Sequence, residues 1–232
     1  MTQQLPDPCQ RLLRTQRGVI ASWQATHAGL SPYRVESLLR AGHWRRLHYG
    51  VYATFTGEPP RDAVLWAAVL RTGPRSILSH ETAAERDGLI DRPSKLLHVT
   101  VPASQRLKPI TGFVIHNSVR ISDARHPGLL PPRTMIEETV LDLTQEATTF
   151  DDVVSLLARA CQRRLTFPWM LRERAKMRAK LRWRAEIGQA LDDVEAGVHS
   201  PLEYRYLRDV ERAHGLPVAE RQVCDRQSGR TI

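Results

Sequence analysis

The chain has 232 residues, 41% of them hydrophobic, and a formal net charge of +9 whose excess sits in two segments, residues 1–55 at +5 and residues 161–184 at +8; basic stretches of this kind favour polyanions through counterion release. No apolar run nears the roughly 20 residues that cross a bilayer, and the N-terminus MTQQLPDPCQ lacks the basic-then-apolar start of a secretory signal, so a cytoplasmic protein with no membrane partner is expected. Cys9, Cys161 and Cys224 are too few and too scattered for a disulfide framework or a cysteine-rich zinc site.

Residues 8–17, CQRLLRTQRG, predict a first helix with Leu12 and Leu13 inward. A second covers Ser22 to Ala28, capped by Ser22, stopped by Gly29 and packed through Trp23, Ala25 and Thr26. A third starts at Ser31, whose hydroxyl suits an N-cap, and Pro32, whose missing N–H costs nothing in the first turn. Val35, Leu38 and Leu39 recur at i, i+3 and i+4 as one buried stripe, which leaves Tyr33, Arg34, Ser37 and Arg40 facing solvent. Gly42 ends this helix where a left-handed residue is needed. Trp44–Leu47 and Val51–Thr54 then predict two strands around the short loop His48-Tyr49-Gly50. Two short helices joined by Gly29-Leu30-Ser31 and followed by a basic hairpin make a winged helix-turn-helix, a unit that lays its second helix in the major groove and its wing on the phosphates. The expected DNA contacts are Tyr33, Arg34, Ser37 and Arg40 at base edges or nearby phosphates, with Arg45, Arg46 and His48 holding the backbone. The alternative is a small helical subdomain with solvated arginines.

The turn cluster Gly57-Glu58-Pro59-Pro60 sets the expected end of that first domain, residues 1–57. Residues 58–165 predict a second, mixed α and β and nearly neutral. It opens with a helix over Arg61–Thr72, with Val64, Leu65, Ala68 and Val69 as its stripe. Ile77-Leu78, a short helix behind Ser79, strands at Leu96–Val101 and Gly112–His116, and helices over Arg133–Ala147 and Asp151–Arg164 follow. Residues 166–198 form a basic helical linker, read either as a solvated face or as a second phosphate contact. In residues 199–232 a helix over Ser200–His214 opens with Ser200, Pro201 and Glu203 in capping-box order, and Val218–Ile232 begins something strand-like. The fold class is α+β: an N-terminal winged helix-turn-helix, a mixed α/β domain and C-terminal helices.

GVIASWQATHAGLS at 18–31, RAGHWRRLHYGVYAT at 40–54, LSHETAAERDGL at 78–89, HVTVP at 98–102, VIHNS at 114–118 and PPRTMIEETVLDL at 131–143 together resemble the AbiE-type antitoxin regulators of type IV toxin–antitoxin systems. The resemblance spans most of residues 8–165. It implies an operator-binding winged helix-turn-helix that represses its own promoter, and a further domain that opposes a nucleotidyltransferase-like toxin without gripping it stably. SPLEYRYLRDVERAHGLPVAERQ at 200–222 resembles the opening helix of a restriction-endonuclease-like domain of the very-short-patch-repair type, where Glu203 would match the helix-borne acid. The other metal-binding carboxylates of that pattern are absent, and a single Glu cannot supply phosphodiesterase chemistry. An enzyme is therefore not expected from this chain; the alternative is the DNA-binding front end of a truncated nuclease, and Glu203 reads more simply as a cap.

Other constellations carry less. Ser79-His80-Glu81 lacks a nucleophile elbow, so Ser79 reads as a helix cap. His98 and His116 lie on neighbouring predicted strands, but no third ligand has suitable spacing, so no metal is expected. No glycine-rich phosphate loop is present, and no cofactor is expected. The expected partners are double-stranded DNA at the chain's own promoter and, functionally, the toxin.

Overall fold

A computed structural model describes residues 5–198 and 200–217. The strand-like start expected at Val218–Ile232 lies outside them. The fold is α+β, and the described residues divide into two compact units, 5–82 with 94–134, and 83–93 with those from 135 to 217. The boundary expected at 57/58 falls inside the first unit, for a reason that helix α4 supplies below. Among the described residues, no helix is long and apolar enough to cross a membrane.

The first unit begins with α1 (Asp7–Thr15), β1 (Val19–Ala21), α2 (Ser22–His27), α3 (Pro32–Arg40), β2 (Arg45–His48) and β3 (Val51–Ala53). The three strands form an antiparallel sheet in the order β1-β3-β2, so helix, strand, two helices and a hairpin follow one another as in a winged helix. Strand β1 is not among the expected elements. Between α1 and β1, Gly18 sits at φ +78°, and a Cβ there would stand 2.9 Å from the Phe55 ring, so only glycine fits this turn.

The start of α2 departs from expectation. Ser22 is already helical and the cap is Ala21, whose backbone N–H donates to Gln24 Oε1 (3.1 Å). Ala25 packs as expected, but Trp23 is 46% exposed and Thr26 is exposed; the buried partner is Gln24. Its amide and that of Gln16 exchange hydrogen bonds of 2.7 and 3.0 Å, and Gln16 Nε2 also donates to the Val19 carbonyl (2.9 Å). This buried clasp ties α1, β1 and α2 together. Gln24→Leu strands the Gln16 amide and the Ala21 N–H away from water, so we expect a loss of about 2 kcal/mol or more in thermal unfolding, against a near-neutral Thr26→Ala; equal stabilities would refute the clasp.

One face of this sheet, through Ile20 and Tyr52, joins Cys9, Ala25, Leu30, Val35, Leu38 and Trp44 in the core under the helices. Val19, Ala21 and Val51 point the other way, onto Ala63, Trp66, Ala67 and Leu70. Those four lie on α4 (Arg61–Thr72), which starts and ends where the sequence places it. The opposite side of α4, Leu65, Ala68 and Val69, packs on a second sheet. That sheet has the order β4-β5-β6, from β4 (Ile77–Leu78), β5 (Leu97–Pro102) and β6 (Phe113–Ser118). Strands β4 and β5 are antiparallel, β5 and β6 parallel. Helix α4 is thus buried on two sides, and the single expected stripe is half of its pattern. No chain break is possible after residue 57 without uncovering the first sheet.

Helix α5 (His80–Arg86) leads into the second unit; α6 (Ile121–Ala124) belongs to the first. The second unit is helical: α7 (Ile136–Glu146), α8 (Phe150–Gln162), α9 (Pro168–Lys176), α10 (Arg184–Glu195) and α11 (Pro201–Tyr206), followed by a π-helical turn over Leu207–Arg212. Val140, Leu143, Val153, Val154, Leu157, Leu171, Ile187 and Leu191 make its core. Helix α8 is closed by a capping box, with Thr149 Oγ1 accepting from the Asp152 N–H and the Asp152 carboxylate accepting from that of Thr149. The cap expected at Ser200 is present as well: Ser200 Oγ accepts from the Glu203 N–H at 3.2 Å, and the Ser200 hydroxyl donates to the Glu203 carboxylate at 3.1 Å.

The basic stretch 166–184 is not one helix, and it is solvated only in part: Lys176, Lys180, Arg182 and Arg184 are exposed, whereas Arg172, Arg174 and Arg178 are half-buried. It breaks after Lys176 and restarts at Arg184. Arg178, only 10% exposed in its side chain, donates to the Glu138 carboxylate (3.1 Å from Nε) and to Asp142 (2.7 Å). Arg172 pairs with Asp192, and Arg163 pairs with Asp91 through two bonds of 2.7 Å. Arg172 and Arg178 are thus paired with carboxylates of their own unit. Glu137 and Glu138, which a solvent-facing acidic helix would expose, are 5% and 2% exposed.

Candidate nucleic-acid interface

Helix α3 is seated as its spacing dictates. The Ser31 hydroxyl accepts from the Arg34 N–H at 3.2 Å, Pro32 opens the first turn, and Val35 and Leu38 are buried with Leu39 beside them. This fixes the outward side. Tyr33 is 82% exposed, Arg40 is exposed, and Arg34 and Ser37 are half-buried. Arg40 Nε lies 3.4 Å from Glu36 in an exposed i, i+4 pair. Such a pair is worth only about 0.3–0.5 kcal/mol, so a phosphate can displace the carboxylate.

The wing residues do not share one side. Neighbours in a strand point to opposite faces, and the register pairs Arg46 with Tyr52 and Arg45 with Ala53. Arg46 is exposed and its guanidinium stands 5.9 Å from the Tyr52 ring, on the face that covers the helices. Arg45 falls on the α4 side, and its Nε is buried without a hydrogen bond. A bulge follows Arg46, and His48 turns inward, edge-on to Phe113 with ring centres 5.2 Å apart. Burial, then the charge of Arg71, lowers the His48 pKa, which disfavours the charged form that a phosphate would attract. The residue at the wing tip is Tyr49, 81% exposed, with the Arg71 guanidinium 5.9 Å from its ring. The structure therefore assembles Tyr33, Arg34, Ser37 and Arg40 on one helix face and leaves Arg46 as the wing cation on the helix-facing side; Arg45 and His48 leave the set. Strand alternation holds the signal for Arg45, since two adjacent arginines cannot both face one surface.

No protein-family model matches the chain, and no curated protein matches it. Among solved structures it is similar to the RV2827C protein from Mycobacterium tuberculosis, at 16% identity and a TM-score of 0.49, over 95% of this chain and 85% of that one. A likeness this distant says nothing of what either chain does.

A second constellation lies on the face of the β4-β5-β6 sheet opposite α4. The register puts Thr100 beside His116, and His98 lies two residues before Thr100 on the same side. His80, the first residue of α5, lies over them: its ring stacks on that of His116 at 3.6 Å between centres. His98 Nδ1 is 3.2 Å from His116 Nε2. Ser79, expected as a cap, is buried; its Oγ accepts from Thr100 Oγ1 (2.8 Å) and lies 3.0 Å from His80 Nδ1. Burial lowers the pKa of His98 and, with the nearness of His98, takes that of His116 down to about 4. By contrast, burial pushes the Cys161 thiol up to about 11, so it is protonated and inert at neutral pH.

Proposed function

We propose that the chain is a sequence-specific DNA-binding repressor of its own promoter, the regulatory partner of a nucleotidyltransferase-like toxin as its resemblance to AbiE-type antitoxins implies. One observation carries the reading: the outward face of α3 stays open to solvent, with Tyr33 82% exposed above a firmly seated apolar stripe. A helix whose sole task was packing has no need of a tyrosine and two arginines there. In this reading Tyr33, Arg34, Ser37 and Arg40 enter the major groove, and Arg46 meets a flanking phosphate.

The test is a binding titration of the full chain on its own upstream region at several salt concentrations. Arg34→Ala with Arg46→Ala removes two cations from the proposed surface, so the slope of log K against log salt should fall by about 0.9 for each phosphate that is no longer neutralised. Arg45→Ala, on the α4 side, should leave that slope unchanged. Equal slopes and affinities for the double variant and the parent chain would sink the reading.

A further inference from the structure

We propose that His80, His98 and His116 form a binding site for one divalent transition-metal ion of the zinc class, held by three imidazole nitrogens. The three come from the start of α5, from β5 and from β6, and one ring nitrogen of each lies within 4.8 Å of the others. Zinc–nitrogen bonds of about 2.0–2.1 Å at tetrahedral angles set two ligand nitrogens about 3.3 Å apart. His98 Nδ1 and His116 Nε2 already stand at 3.2 Å. The third ligand must reorient, since the three nitrogens are set only within 4.8 Å of one another. The rings of His80 and His116 are nearly parallel, 9° between planes, and a lone pair lies in the plane of its ring, so the His80 ring must tilt for its nitrogen to converge.

Two further features fit a ligand site. Metal-binding histidines are commonly oriented by a hydrogen bond to the nitrogen that does not bind; Ser79, itself held by Thr100, stands at Nδ1 of His80, so Nε2 is the nitrogen that His80 presents. His80 also sits at φ +48°, a left-handed conformation that side-chain-bearing residues adopt at a cost and that clusters at functional positions. The donor set selects the metal: three imidazoles suit zinc, copper, nickel or iron, not magnesium or calcium. Three ligands leave a fourth position for water or an anion. His80 and His98 are buried and His116 is half-exposed, which gives an ion a way in.

The experiment uses the tag-free full chain, stripped with a chelator and titrated with Zn²⁺ against a chromophoric competitor. One tight equivalent per chain is expected, and His98→Gln and His116→Gln should each weaken it by about 100-fold, with Ser79→Ala weakening it by about 10-fold. Co²⁺ in place of zinc should give the strong visible absorption of a four-coordinate site, and zinc should displace it. Long-range proton–nitrogen spectra of the parent chain should shift one ring nitrogen of each of the three histidines, a readout that needs no variant to fold. The inference is overturned if no stoichiometric binding occurs, if both variants bind as the parent does, or if the shifted nitrogens belong to exposed histidines such as His27 or His43.

Discussion

Arg178→Met should destabilise the helical unit by about 3 kcal/mol or more, which is the usual result of removing one partner from a buried ion pair. The Arg178 side chain is 10% exposed and that of Glu138 2%, so solvent screens the pair little. Asp142, 22% exposed, is the second carboxylate on the same guanidinium, and Arg174 Nη1 stands further off at 3.8 Å from Glu138. Burial works against the charge of Arg178, yet Asp142 and Glu138 outweigh it and hold the pKa above its ordinary value. Methionine keeps much of the side-chain volume, so the loss isolates the charge. Restoring balance by Glu138→Gln in the same chain should recover part of it, because the carboxylate then no longer needs a cation. Lys176→Ala breaks an ion pair with Glu173 in which the side chains are 65% and 62% exposed, and should move stability by less than about 0.5 kcal/mol. Urea unfolding followed by far-ultraviolet circular dichroism reads all three. If Arg178→Met unfolds within about 0.5 kcal/mol of the parent, the clamp is a surface decoration and holds nothing together.

A fragment ending at Gly57 should not fold as a stable unit. Cutting there removes Ala63, Trp66, Ala67 and Leu70 from Val19, Ala21 and Val51, which are 0–1% exposed in the full chain. Each buried Val side chain is worth about 1.5–3 kcal/mol, and a core of this size rarely has more than about 3–5 kcal/mol in total. Extending the fragment to Thr72 repeats the problem one layer on, since Leu65, Ala68 and Val69 would then lose β4 and β5. A broad, non-cooperative melt and poor amide dispersion are expected for residues 1–57. A cooperative melt with dispersed amide signals would show that the sheet is sufficient without α4.

The helix-turn-helix is legible in the sequence because local rules agree there. Ser31, Pro32, the Val35–Leu38 spacing and Gly42 each speak for the same helix, and α3 has the limits they set. Expectation and structure part where distant chain decides. The pattern of α4 reads as one stripe because nothing local announces a sheet on each side of it. The burial of Glu137 and Glu138 has no local signal either, because what covers them lies far along the chain: Thr166 bonds Glu137, and Arg174 and Arg178 face Glu138. Strand β1 is three residues long, too short for alternation to show. His80 reads only as the neighbour of Ser79 and Glu81, because its place beside His98 and His116 depends on the parallel pairing of β5 with β6 and on α5 crossing above them, neither of which the spacing of three histidines encodes.

The wing is braced from behind. His48 rests against Phe113, and Arg71 of α4 stands beside Tyr49 at the tip, so the hairpin is docked on the body of the first unit. A free loop loses about 0.5–1.5 kcal/mol for each long side chain that a partner immobilises. Here part of that ordering entropy is already surrendered in folding; if the hairpin meets DNA as proposed, Phe113→Ala should weaken binding in the salt titration, on top of the packing it loses against the β4-β5-β6 core.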